Sequence, residues 1–149
     1  MTNINQSKLK KATEVFNQVF NKYDLMNDIM SLGIHRIWKK RLIDWMNPKK
    51  NDHLIDIASG TGDIAKAFLE RTNYLGKVTC VEPNKLMMEE GRKKLKKLEN
   101  ITWHISLAEK LPFKNETFDI YCVSFGMRNF ADINSAMKEA RRVLKIGGR

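Results

Sequence analysis

Apolar positions Leu9, Ala12, Phe16, Val19, Phe20 and Tyr23 recur three or four apart, a spacing that predicts an amphipathic helix near the start of the chain. A turn-prone segment around Asn27, Asp28 and Gly33 separates it from a second predicted helix over 34–46. There Trp38 and Trp45 fall seven apart on one face and Pro48 bars continuation. From Asn51 the period changes, and short apolar runs alternate with helical stripes. The pattern predicts strand 53–58, helix 63–71, strand 77–82, helix 85–98, strand 101–106 and strand 118–124. A loop over 107–117, carrying Leu111-Pro112-Phe113, precedes the last strand. The final predicted helix has Asp132 at its N-cap, a stripe of Ile133, Ala136, Met137, Ala140, Val143 and Leu144, and Gly147-Gly148 at its end. Such alternation predicts an α/β fold, a parallel sheet flanked by helices and joined by right-handed crossovers. The reading is one domain over 1–149, with a helical segment 1–50 ahead of an α/β core 51–149. A helix closed by two glycines should lead into another strand. The chain is therefore expected to be incomplete at its carboxyl end, with later strands missing and strand 118–124 left at a sheet edge.

The length of 149 residues and 42% apolar content allow one modest core. No apolar run approaches the ~18 residues of a membrane helix. The polar, lysine-bearing start has no apolar signal segment, which predicts a cytoplasmic or organelle-interior setting. Cys80 and Cys122 fall in two predicted strands. If the first strand lies between them they are about 10 Å apart, beyond disulfide reach, and read as reduced core residues. The three histidines and two cysteines show no metal-ligand spacing. A net charge of +10 and a pI of about 9.7 imply attraction to anionic surfaces, nucleic acid or phospholipid. Much of the excess sits in Arg92-Lys93-Lys94 and Lys96-Lys97, on a helix that Asn84 caps. The ordinary reading of such a run is a solvated face. Basicity therefore does not choose a partner.

The chemistry concentrates in Asp56-Ile57-Ala58-Ser59-Gly60-Thr61-Gly62-Asp63. A buried strand runs into a Gly-X-Gly turn and then a helix, an arrangement that brings bare backbone against a nucleotide-like ligand. Glu82 closes the second strand twenty-two residues after Gly60, where a carboxylate can take ribose hydroxyls. The glycine spacing also fits dinucleotide sites, but those lay a pyrophosphate on the helix N-terminus. Asp63 at that helix start and Asp56 at the strand end would repel it. S-adenosylmethionine carries a sulfonium and an ammonium against one carboxylate, so two aspartates favour it over a nicotinamide cofactor. Asp63 can alternatively be read as a helix cap, and Glu82 as an ordinary loop carboxylate.

Three blocks carry a family resemblance. The first runs from Val15-Phe16 through Tyr23-Asp24-Leu25-Met26-Asn27-Asp28-Ile29-Met30-Ser31, Gly33, His35-Arg36 and Trp38-Lys39. The second is the Asp56–Asp63 stretch. The third joins Glu109-Lys110-Leu111-Pro112-Phe113, Phe118-Asp119 and Ser124-Phe125-Gly126-Met127-Arg128-Asn129. With these the chain resembles the class I, Rossmann-like methyltransferases, and more narrowly the quinone-ring C-methyltransferases of ubiquinone and menaquinone biosynthesis. Gly-X-Gly after a strand is shared by many methyltransferases, whereas the first block and Phe-Gly-Met-Arg-Asn are specific. The resemblance spans nearly the whole chain and roughly the first three-fifths of a typical member.

That resemblance implies S-adenosyl-L-methionine as cofactor and C-methylation of a polyprenyl quinol as the reaction. It places Gly60, Thr61 and Gly62 against the cofactor, Glu82 on its ribose, Leu107 and Ala108 near the adenine, and Ser124 along the site. Members usually carry Asn or Asp where this chain has Leu107, so only backbone contacts are left there. Glu82 replaces a more usual Asp, and Pro83 an aliphatic residue. Arg128 is the candidate to steady a developing phenolate, since a guanidinium donates hydrogen bonds to an oxyanion. Asp24, Asp28 and His35 are candidate proton acceptors. The N-terminal helices, with Phe16, Phe20, Met26, Met30 and Trp38, read as a lid over the ring and tail or as ordinary helix-on-sheet packing. The resemblance further implies a protein at the periphery of a membrane, in a quinone-biosynthesis complex or a homodimer, without nucleic acid. Two alternatives stand beside it. A nucleic-acid methyltransferase would suit the pI, but it usually carries Asn/Asp-Pro-Pro-aromatic where Ser124-Phe125-Gly126-Met127 stands. A noncatalytic cofactor-binding fragment would suit the early end.

Overall fold

The computed structural model describes residues 34–149, with side chains from residue 37 onward. The helix expected over Leu9 to Tyr23, together with Asp24 and Asp28, lies outside the described residues, as does the side chain of His35. The described part runs α1 (Ile34–Met46), β1 (His53–Ile57), α2 (Asp63–Arg71), β2 (Lys77–Val81), α3 (Lys85–Lys94), β3 (Ile101–His104), β4 (Ile120–Val123), a single 3-10 turn (Met127–Asn129) and α4 (Ile133–Val143).

All strands are parallel, in the order β3-β2-β1-β4. Helices cover both faces, so the central β1 and β2 are buried on both sides beyond their first residue, while β3 is only partly buried. Leu54, Val78, Cys80, Ile120 and Cys122 turn to one face, against Ile43 and Met46 of α1 and Phe68 of α2. Ile55, Ile57 and Val81 turn to the other, against Ala136 and Val143 of α4. Cys80 and Cys122 pair in register with Asp56 from its two sides, and both are free and buried.

Several expectations change at this level. α3 stops at Lys94 rather than at residue 98, because Leu95 leaves helical geometry and a tight turn returns Leu98 N–H to Leu95 O. Both leucines still pack inward, so the apolar period outlasts the helix. In α4 the buried row is Ala136, Ala140 and Val143, while Ile133 and Met137 are exposed. Met137 lies about 100° round the helix from Ala136, and the small alanines let the backbone sit close to the sheet. The tryptophan face of α1 is not the face that packs: Trp38 and Trp45 are exposed while Ile43 and Met46 are buried. β4 is not bare on its outer side. The backbone after α4 runs along it, with Lys145 N–H donating to Phe118 O, Arg149 N–H to Asp119 O, and Tyr121 N–H to Arg149 O. No helix among the described residues is long and apolar enough to cross a membrane.

Candidate active site

From β1 the chain passes to β2 on one side of the sheet and only later to β4 on the other. The carboxyl ends of β1 and β4 therefore flank the topological switch point, where open α/β sheets place their ligand crevice. The loop after β1 is drawn against β2 by Ser59 N–H to Val81 O. Gly62, at φ +83°, sits in the left-handed region and caps α2. A Cβ at Gly62 would stand 2.8 Å from Leu95 Cδ1 and 2.9 Å from Trp103, so a side chain there would have to displace Leu95 and Trp103 as well as bear the left-handed backbone. At Gly60, φ +56°, the added atom would meet only Met87 Cε, at 3.3 Å.

Glu82 closes this loop from the end of β2. Its Oε2 accepts from Gly60 N–H and its Oε1 from Asn84 N–H, both at 2.9 Å. The residue is 5% exposed, and burial holds its pKa above the ordinary glutamate value against the opposing pull of those two N–H groups. A carboxylate oxygen accepts two bonds, so each still has one acceptor position for a ligand hydroxyl.

The two aspartates of the motif differ from each other. Asp56, the penultimate residue of β1, is fully buried between the two cysteine strands. Burial, then the charges of Glu82 and Asp63, raise its pKa to about 8. Among the described residues its Oδ2 has no hydrogen-bond partner, and the buried Ser59 Oγ has the Cys80 thiol as its neighbour. Asp63 is taken up by lysines instead: Lys39 Nζ lies 2.5 Å from Oδ2 and Lys94 Nζ 2.7 Å from Oδ1. Burial pushes its pKa up, but the bonds from Lys39 and Lys94 outweigh that and bring it down to about 2. The bare pair of negative charges inferred from the sequence is thus replaced by a buried, largely protonated Asp56 and an ion-paired Asp63. Lys94, assigned to a solvated face, also reaches to within 3.5 Å of Thr61 Oγ1.

Beyond β3, Leu107 is exposed and Ala108 buried. Glu109 Oε1 accepts from Ala131 N–H at 2.7 Å and Asp132 N–H at 3.2 Å, tying this loop to the start of α4. Beyond β4, Ser124 is half-buried and Phe125 takes φ +61°. Gly126 passes so close to Ala58 that a Cβ would stand 2.4 Å from the alanine Cβ. The loop after β4 therefore packs at Gly126 against Ala58 of the loop after β1, and Ser124 lies just ahead of that contact at the carboxyl end of β4. Arg128 lies exposed in the turn that follows. The structure thus brings Asp56, Gly60, Thr61, Gly62, Glu82 and Ser124 to one edge, with Arg128 on its rim.

Lys39 and Glu109 escaped assignment to the site in the sequence, whereas Trp38 was read there as part of a lid over the ring or as ordinary packing. Lys39 carried one signal, its place beside Trp38 in the specific N-terminal block. The unpaired Asp56 Oδ2, with the free acceptor positions on Glu82, suits a ligand that has both hydroxyls and a cationic group.

A family model described as the ubiE/COQ5 methyltransferase family matches residues 1–149. The chain is 47% identical over 145 residues to the ubiquinone/menaquinone biosynthesis C-methyltransferase UbiE of Ruegeria sp. (strain TM1040), covering 95% of this chain and 58% of that protein. It is 43% identical over 146 residues to the protein of the same name from Zymomonas mobilis, covering 97% and 59%. The chain therefore spans about three-fifths the length of the curated relatives it matches. Among solved structures it is similar to the YcgJ protein of Bacillus subtilis, with a TM-score of 0.67 and 28% identity over 72% of this chain and 45% of that one. It is also similar to a putative methyltransferase of Bacillus halodurans, with a TM-score of 0.68 and 26% identity over 74% and 47%. A SAM-dependent methyltransferase of Aquifex aeolicus, 20% identical over 72% and 58%, shares the fold at a TM-score of 0.66.

Proposed function

The chain belongs to the ubiE/COQ5 methyltransferase family, and from that membership we propose that it takes part in S-adenosylmethionine-dependent C-methylation of a polyprenylated quinol ring. The observation that carries the cofactor is Glu82, fixed by Gly60 N–H and Asn84 N–H with acceptor capacity left on both oxygens. When bound, adenosylmethionine supplies an electrophilic methyl group on a sulfonium. Glu82 holds the ribose hydroxyls, the backbone of residues 60–62 lies along the methionine part, and Leu107 and Ala108 border the adenine. Asp56 offers its unpartnered oxygen to the cationic end, where a nearby positive charge favours its ionised form.

The residues after β4 handle the acceptor. Ser124 lines the gap between cofactor and ring, and Arg128 donates hydrogen bonds to the ring oxygen as it gains negative charge. We further propose that the chain meets its lipid acceptor at an anionic membrane surface, drawn by its net positive charge.

One experiment tests these points together. The chain is incubated with methyl-labelled adenosylmethionine and anionic vesicles carrying a demethylquinol. Label is expected in the lipid fraction, with Arg128→Ala lowering transfer roughly a hundredfold. The chain should sediment with the vesicles at low salt and leave them at high salt. Label in added RNA rather than lipid would overturn the acceptor class.

A further inference from the structure

Trp38 of α1 and Phe125 beyond β4 come from opposite ends of the described chain, yet their rings meet with centroids 5.9 Å apart and planes inclined by 30°. Both are large aromatic side chains left about half exposed, at 53% and 49%, and Met127, two residues on from Phe125, is also exposed. Their exposure is not the product of loose attachment. α1 is tied to α2 by Lys39 to Asp63 and by Asp44 to Arg71, the latter at 2.7 Å, so Trp38 is carried on a helix anchored beside it at the start of α2. Phe125 is fixed between Ser124 and Gly126, whose backbone is pressed against Ala58. Its φ of +61° is unfavourable for an aromatic residue. Adopting it sets the ring outward, over the rim of the site.

We propose that Trp38 and Phe125 together form the platform on which the hydroquinone ring of the methyl acceptor stacks, a role that rests on the acceptor class proposed above. Rings already in contact leave no slot for a third, because a sandwich needs centroids about 7 Å apart. The acceptor ring therefore lies across the face that the two present jointly, next to Ser124. Stacking selects an aromatic acceptor without reading its substituents. Met127, exposed two residues on from Phe125, is placed to cover the first part of an apolar tail.

The test uses chain Met1–Arg149 saturated with adenosylmethionine and titrated anaerobically with a decyl-substituted benzohydroquinone, following tryptophan emission. The parent is expected to quench saturably. Trp38→Leu should lose most of that quenching although Trp45 and Trp103 remain. Phe125→Gly removes the ring while relieving its backbone, so it should fold at least as well and yet bind the hydroquinone roughly three- to tenfold more weakly. Phe125→Tyr should restore binding, and adenosylmethionine affinity by calorimetry should not move in any variant. If Trp38→Leu and Phe125→Gly both bind the hydroquinone as the parent does, this inference alone fails. A parent that binds adenosylmethionine but shows no saturable quenching overturns the acceptor class and the platform with it.

Discussion

The two edges of the sheet treat their polar groups in opposite ways. At the amino-terminal edge Asp119 accepts from His53 N–H at 2.9 Å and from Lys145 Nζ at 2.8 Å. Asp52 accepts from Lys49 N–H and Arg149 Nη2, both at 2.9 Å, and the same guanidinium bonds the carbonyls of Met46 and Asn47 at the end of α1. At the carboxyl edge Asp56 Oδ2 is buried without a partner among the described residues, and Glu82 is only half used. Unpaired buried polar atoms destabilise a fold; Tyr121 Oη in mid-sheet is a further one, and Asp56 together with the open positions on Glu82 marks where the chain gives up stability for binding. The closed edge holds the sheet together. The open one is completed by ligand.

The contrast breaks most sharply at two glycines of nearly equal backbone angle. Gly62 at the open edge has φ +83° and Gly147, after α4, has φ +79°, but only Gly62 is crowded, by Leu95 and Trp103. Gly62→Ala adds a steric clash to left-handed strain and should lower stability by roughly 2–4 kcal/mol. Gly147→Ala meets open space and should cost about 1 kcal/mol. Denaturant unfolding of the two variants checks this, and equal losses would show that backbone strain, not packing at the open edge, governs both.

Asp56 gives the next largest effect. Its pKa in the fold is about 8 against 3.8 in the unfolded chain. The folded state therefore binds the extra proton, and stability falls as pH rises from about 4 to about 8. Asp56→Asn keeps the shape and removes the titration. It should be more stable than the parent near neutral pH, by on the order of a few kcal/mol, with a shallower fall across that window, the remaining slope coming from Glu82. Unfolding curves taken at a series of pH values measure both. A parent profile that rises with pH over this range would contradict the burial of an unpaired carboxyl.

Much of this was legible in the chain, because it depends on local spacing. The limits of α1 and α2 follow from apolar periodicity with Pro48 and Gly62 as stops, and Asn84 and Asp132 cap their helices where the pattern placed them. The glycine turn and Glu82 could be found because strand, turn and strand follow one another closely. The electrostatics could not be read this way. Whether Asp63 stands bare depends on Lys39 and Lys94, which lie 24 and 31 residues away and are aimed by the directions of α1 and α3. Asp56 in sequence is one more motif carboxylate, and only the parallel order β2-β1-β4 seals it between Cys80 and Cys122. The φ of Phe125 has no sequence mark, since the demand comes from the contact of Gly126 with Ala58.

The smallest effect belongs to Asp119, which shares its residue type with Asp56 and should show the reverse pH slope. Burial would raise its pKa, but the bonds from Lys145 and from His53 N–H overcome that and hold it below 3.8. A depressed pKa means that the folded state releases its proton first. The contribution is present at neutral pH and is lost as pH falls through the native value, below about 4. Because Lys145 and Asp119 are both partly exposed, solvent screens the pair. Asp119→Asn retains an acceptor for His53 N–H and removes only the charge, so it should lower stability by about 0.5–1 kcal/mol at pH 7. The difference from the parent should shrink as pH falls through the native pKa, below which the parent is protonated as well. Comparing its unfolding midpoints with those of Asp56→Asn over the same pH series separates the edges directly. One variant gains stability at neutral pH and the other loses it, because the closed edge pairs its carboxylate and the open edge leaves one for a ligand.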